Sequence, residues 1–449
     1  MPLNSRDHAI VIGASMGGLL AARVLSDYYQ RVTLIEKDHF PSPGGHRRGV
    51  PQSRHTHGLL AAGYRTLETL FPGIGQDIMD AGGVPGDVVE TGRWFHEGGY
   101  LRQVKSGLDG ALLSRPLLES IVRRRALANH KISVMEGVEV SGLKQASKGV
   151  VAGLELQDGR ELSADLIVES CGRASKGIEW LEALEYAAPK VEKVEIALAY
   201  TTRIFRREPS HLGGNLAAII PPTPEGKRGG VILAQENSTW TVTLLSYFGQ
   251  PAPSDLAGFR EFAATLPAPD IAEVLCSAQP IGDAQGMRFP ASIRKRYEHL
   301  DRFPEGYLAF GDSICSFNPI YGQGMSSAAL QALALGEALK DDRHNLAKRF
   351  FAQAAKVVDI PWSIAVGNDL RMPETIGPRN AGVNFVNWYI AKLHKAAHKD
   401  AELTVAFLKV ANLLAPPPSV MHPRLAWRVL MGNLFSHADP EASRPPIPA

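Results

Sequence analysis

The chain predicts an α/β fold in which a Rossmann-like nucleotide-binding domain carries an inserted antiparallel β-sheet domain and a helical C-terminal region. Three observations lead to it. The N-terminus reads strand, glycine turn, helix, strand. A second strand, glycine loop and helix follow at about residues 307–339. Between them lie runs of alternating apolar residues, rich in β-branched and aromatic side chains.

His8-Ala-Ile-Val-Ile12 is a continuous apolar run suited to a fully buried parallel strand. Gly13-Ala-Ser-Met-Gly-Gly18 makes the turn, Leu19 to Leu25 reads as a helix, and Arg31-Val-Thr-Leu-Ile-Glu36 forms the next strand, ending on an acid. This is the context a dinucleotide fingerprint requires, with Glu36 placed for ribose hydroxyls. The middle glycine is replaced by Ser15, whose hydroxyl can donate to a phosphate oxygen. In the late element, Tyr307 to Phe310 forms a strand that ends on Gly311-Asp312; a Pro/Gly loop then opens an Ala-rich helix from about Ser326. A carboxylate at a strand end can take sugar hydroxyls, and a glycine turn opening a helix presents bare N–H groups. Two such distant elements closing on one long ligand fit FAD better than a nicotinamide cofactor, and no second glycine fingerprint is present.

Residues 194–206, 215–220, 228–234 and 239–247 alternate and are split by turn clusters, the pattern of an antiparallel sheet roofing a pocket. Trp94, Phe95, Tyr100, Tyr200, Phe205, Trp240 and Tyr247 are candidates for its apolar lining. From residue 380 onward Phe385, Trp388, Tyr389, Ala391, Leu393, Leu403, Phe407, Val410 and Leu413 recur at helical spacing, as expected of helices packed on the main body, with Lys392, Lys395 and Lys399 on the other face. The last dozen residues, rich in Pro and Ser, are expected to fray. The expected partition is 1–75, 105–190 and 290–345 for the nucleotide-binding domain, 76–104 and 191–289 for the sheet domain, and 346–449 for the helical region.

Several segments resemble flavoprotein monooxygenases of the aromatic-hydroxylase-like superfamily. They are GASMGGLLAARVL, RRGVPQSRHTHGLLAAG (47–63), LSRPLLE (113–119), VESCGRAS (168–175), GDSICSFNPIYGQGMSSAALQA (311–332) and PWSIAVGNDLRMPETIGPR (361–379). Within that superfamily the chain looks nearest to the branch of polyether alkene epoxidases and hydroxylase-like proteins. The resemblance implies a glutathione-reductase-type FAD domain. It also implies a cofactor-binding set of Gly13, Ser15, Met16, Gly17, Gly18, Glu36, Lys37, Arg48, Gly49, Val50, Arg115, Val138, Gly172, Asp312, Pro319, Gly322, Gln323, Gly324 and Met325, with no catalytic residue and no metal ligand assigned. In this set Asp312 meets the ribityl or pyrophosphate, Arg115 reaches FAD from its helix, and Gly322 to Met325 line the pyrimidine edge of the flavin. Gly172-Arg173 stands where aromatic hydroxylases carry Asp-Gly in a block also associated with NADPH, so electrons are expected from NAD(P)H or from a separate flavin reductase.

The residues themselves add detail. Arg47 and Arg48, in a turn-rich basic loop, are candidates to neutralise a pyrophosphate, and Gly49 and Pro51 let the backbone skirt a flat ring. His55-x-His57 lacks further ligands for a metal and is expected to be hydrogen-bonded or to flank the flavin.

The implied activity is transfer of one oxygen atom from O2, through a flavin C4a-hydroperoxide, to a small, apolar, electron-rich organic substrate by epoxidation or hydroxylation. Phenol hydroxylation needs a base and alkene epoxidation needs none; the pocket segments show no acid–base pair, which leans towards an alkene. The halogenase signature Trp-x-Trp-x-Ile-Pro is missing. The rivals are a flavin-dependent C=C reductase of the prenyl-reductase type and a non-catalytic prenyl-escort protein.

Bulk properties bound the partners. Across 449 residues, 45% are hydrophobic and the net charge is +2, which gives no electrostatic case for nucleic acid. Three scattered cysteines form no disulfide frame. No secretory leader and no run of about 18 apolar residues is apparent, so a cytoplasmic protein without a membrane span is expected.

Overall fold

The computed structural model describes residues 6–341 and 344–434; the residues expected to fray lie outside them. A parallel sheet of order Tyr307–Ala309, Leu166–Glu169, His8–Ile12, Arg31–Glu36, Ile132–Glu136 forms the nucleotide-side core. Its central strand is fully buried, because helices cover both faces of such a sheet. The N-terminal helix spans Met16–Leu25 and packs on the late helix Gly324–Leu339, which begins two residues before the expected Ser326. That contact brings the two distant glycine elements together. Gly13 has φ +93° and a Cβ there would lie 2.6 Å from the Ser170 carbonyl oxygen; a Cβ on Gly18 would lie 1.8 Å from Gly13 O. Both glycines are therefore required by close packing at this turn.

The second sheet has the order Cys315–Ser316, Pro280–Arg296, Lys190–Arg206, Thr239–Tyr247, Arg228–Gln235, Ala217–Ile220, Gly92–His96, Gly99–Tyr100. Four of these strands match the alternating runs. The long strand Pro280–Arg296 is new: it pairs with Lys190–Arg206 along most of its length, so the boundary expected at residue 290 falls inside a continuous strand. A small antiparallel sheet of Val140–Ser147, Val150–Leu156 and Glu161–Ser163 also went unforeseen.

The C-terminal helices are Ala381–Ala397, Ala401–Ala411 and Pro423–Leu434. Tyr389, Leu393, Leu403 and Val410 are buried as expected, but Phe385 and Trp388 stand exposed, because no described element covers that part of the first helix. No helix among the described residues is long and apolar enough to cross a membrane.

Candidate flavin and substrate cavity

Between the two sheets and the C-terminal helices lies a cavity of about 1060 Å³, lined mainly by apolar atoms. Of the predicted site residues, Ser15, Met16, Gly17, Gly49, Val50, Arg115, Gly172, Asp312, Pro319, Gly322, Gln323, Gly324 and Met325 are on its wall. Gly13, Gly18, Glu36, Lys37, Arg48 and Val138 are not. Gly13 and Gly18 act through the turn. Lys37 and Arg48 are exposed to the outside. The Val138 backbone N–H donates to Glu36 O at 3.0 Å.

Glu36 differs most from expectation. Its carboxylate accepts from Ala14 N at 2.9 Å and Asp38 N at 3.1 Å, and pairs with Arg47 Nη1 at 2.8 Å. Arg47 in turn donates to Glu119 Oε1 at 2.6 Å, so this buried arginine clamps two acids instead of facing a pyrophosphate. Ser15 Oγ donates to Glu119 Oε2 at 2.7 Å and accepts from Arg115 Nη2 at 3.0 Å. Burial opposes ionisation of Glu119, but Arg115 and Arg47 outweigh it and hold the carboxyl below its ordinary range. Glu119 was invisible in the sequence because its partners come from three separate segments.

The cavity wall retains unused polar capacity near the glycine loops. Asp312 makes no hydrogen bond to any described residue; burial pushes its carboxyl up, against the pull of Arg115 and Arg173. Gln323 Oε1 is buried without a partner. A Cβ on Gly324 would meet nothing within 4 Å, and one on Gly322 nothing nearer than 3.8 Å. The N-terminus of the first helix opens on the cavity at Met16 and Gly17. Together these groups fit a flavin dinucleotide: helix N–H groups for a diphosphate, a carboxylate for hydroxyls, and bare backbone for a ring.

Arg173 bonds Ser316 Oγ at 2.8 Å and Ala291 O at 3.1 Å and lies over the Phe289 ring, which ties this segment to the roof sheet. His55 meets Thr202 Oγ1 at 2.9 Å, and His57 Nδ1 donates to His55 O at 2.9 Å. Burial lowers His55 to about 4 and His57 to about 3, so both are neutral at pH 7. Behind the loop, Asp369 Oδ1 accepts from Tyr247 at 2.8 Å, Tyr321 at 3.0 Å and Asn318 at 2.7 Å, and burial pushes its carboxyl up to about 6.

Of the seven candidate aromatics, Trp94, Tyr200 and Tyr247 line the cavity, whereas Phe95, Tyr100, Phe205 and Trp240 pack in the core on the other side of the sheet. Strand alternation divides them: Phe205 pairs with Trp240, and Tyr200 with Leu245. Two histidines with no role expected from the sequence also reach the wall. His96 and His394 both line the cavity with ring centroids 4.2 Å apart. His96 shares a strand face with Trp94, a signal present in the sequence; its partner almost three hundred residues later is not deducible from it.

This is the fold of FAD-dependent monooxygenases and halogenases. It is shared with PqsL, described as a probable FAD-dependent monooxygenase of Pseudomonas aeruginosa, at 17% identity and a TM-score of 0.62 over 84% of this chain and all of that one. A flavoprotein/dehydrogenase of Cytophaga hutchinsonii matches at 15% identity and a TM-score of 0.66, covering 95% of this chain and 99% of that one. The tryptophan halogenase family model matches residues 83–194. The chain belongs to the family of Protein Rv3254 of Mycobacterium tuberculosis, to which it is 35% identical over 351 residues, 75% of this chain and 74% of that protein.

Proposed function

We propose that the protein is an FAD-dependent monooxygenase that transfers one oxygen atom from O2 to an apolar, electron-rich organic substrate, by epoxidation or hydroxylation. The observation that carries this reading is a single cavity joining unused polar groups on the two glycine elements to the apolar face of a roof sheet.

Met16 and Gly17 would direct helix N–H groups at the diphosphate, with Arg115 beside it and Asp312 taking ribityl or ribose hydroxyls. Gly322 and Gly324 leave room for the ring, and Gln323 offers the amide oxygen that lacks a partner. When bound and reduced, FAD supplies the activation of O2, which no side chain can provide. The remaining work belongs to the protein. Ile219, Val231, Leu245, Met287 and Phe289 form an apolar wall that excludes water and holds the substrate against the ring face. His55 and His57, held by hydrogen bonds, flank this space as neutral rings. Arg173, braced on the sheet, is committed to structure, which agrees with electrons arriving from a separate flavin reductase or from NAD(P)H bound only in passing.

Flavin loading is the first test. Gly324→Val places methyl groups where the structure has open space, so the variant is expected to fold and to lose FAD affinity by more than about tenfold. Asp312→Ala is expected to lose flavin as well. Full visible flavin absorbance in both would overturn the site. Isotope-labelled O2 with a reductant and alkene or phenol probes then tests the chemistry: label in the product supports oxygen transfer, whereas anaerobic loss of the alkene identifies a C=C reductase.

A further inference from the structure

Where the strand Gly92–His96 and the C-terminal helices form the cavity wall, it carries two imidazoles in a mainly apolar setting of Trp94, Ile364, Ile390 and Phe407. His96 ends the strand Gly92–His96, just before the tight turn where Glu97 has φ +51° and Gly98 φ +86°. His394 comes from the C-terminal helix Ala381–Ala397 and is 2% exposed. His398 Nε2 donates to His96 O at 2.8 Å, and the Phe407 ring meets His394 edge-on at 4.4 Å. This packing fixes the backbone and the rings but leaves the nitrogens unbonded. His96 Nε2 and both His394 ring nitrogens are buried without a hydrogen-bond partner, while His96 as a whole keeps part of its surface open. Buried polar atoms are nearly always paired, so three unpaired nitrogens in one place call for a ligand.

We propose that His96 and His394 form a subsite for a hydroxyl group on an otherwise apolar substrate. The inference rests on the reading above for the identity of the remaining cavity. Each neutral imidazole offers one N–H and one lone pair. A hydroxyl can donate to one ring and accept from the other, which a carbonyl, an ether or a carboxylate cannot do. Among the described residues, the arginine whose charge acts on both rings is Arg371, and it is paired with Glu97 at 2.6 Å, which disfavours an acid group here. The substrate class is thus an apolar molecule bearing a hydroxyl, phenolic or alcoholic.

The test is calorimetric titration of the purified full chain with 2-naphthol and with 2-methoxynaphthalene, which differ only in capping the hydroxyl. The wild type is expected to prefer 2-naphthol by about tenfold, in line with one or two hydrogen bonds to a buried polar pair. In His96→Phe and His394→Phe the preference should fall to within about twofold, with melting temperature confirming that each variant folds. Equal binding of the two probes by the wild type, absence of binding by either, or an undiminished preference in both variants would overturn the subsite. Flavin content is read in the same samples. Equal binding of the two probes by flavin-loaded wild type refutes the subsite alone; discrimination by wild type without any flavin refutes the monooxygenase reading and leaves the subsite standing.

Discussion

Two buried polar clusters flank the same cavity and are built on opposite terms. At the N-terminal end, Glu36, Arg47, Glu119, Ser15 and Arg115 close a network in which each acid meets a cation, and Arg47 bridges both carboxylates. On the wall that includes the C-terminal helices, His96 and His394 sit as neutral rings with three unbonded nitrogens. The first cluster is preorganised by the chain itself: its charges satisfy one another and set the shape of the turn that a diphosphate would approach. The second is unfinished by the chain and costs stability until something pairs with it. A closed network therefore marks architecture, and open valences mark a place for a ligand.

Substitutions should separate the two, and the largest effect is expected at Arg47. Arg47→Ala leaves two buried carboxylates without their shared cation and should destabilise the fold by about 3–5 kcal/mol in denaturant titration. A loss under about 1 kcal/mol would mean that water or another cation enters the network.

Acid is the next probe. Burial, reinforced by Arg371 and by neighbouring histidines, lowers His96 to about 3 and holds His394 well below its ordinary value. A histidine whose folded value is depressed adds stability above its unfolded value, near pH 6.5, and loses it as pH falls towards the folded value. Between pH 6 and pH 4 the pair should thus cost about 1.4 kcal/mol per pH unit for each ring. His394→Phe should remove one ring's share of that slope, visible as a flatter melting temperature against pH. An unchanged slope would show that His394 is already charged or solvated in the fold.

The smallest effect completes the contrast. At pH 7, His394→Phe replaces an unpaired polar ring by an apolar one of similar shape, and stability should change by less than about 1 kcal/mol. If instead this variant is as damaging as Arg47→Ala, the two clusters do not differ in kind.

Much of the nucleotide half was legible. His8–Ile12, the Gly13–Gly18 turn and Arg31–Glu36 are local patterns: a strand needs only its own apolar run, and a glycine turn only its own φ freedom. The four alternating runs of the roof sheet were legible for the same reason. The face each aromatic takes was harder, since alternation sorts Trp94 from Phe95 within a strand but the choice between cavity and core depends on which side of the sheet the helices cover. Arg47 shows the limit most clearly. A basic loop residue reads as an anion ligand until Glu36 and Glu119, on different elements, are seen to enclose it.

The division follows interaction range. Backbone propensity, side-chain alternation and turn chemistry act within a few residues, so order along the chain was enough to reveal the N-terminal strands, the glycine turns and four strands of the roof sheet. Charge pairing, cavity shape and unpaired valence depend on distances between segments remote in sequence. Only folding brings Glu36 to Glu119 through Arg47, sets Gln323 beside open space and lays His394 against His96.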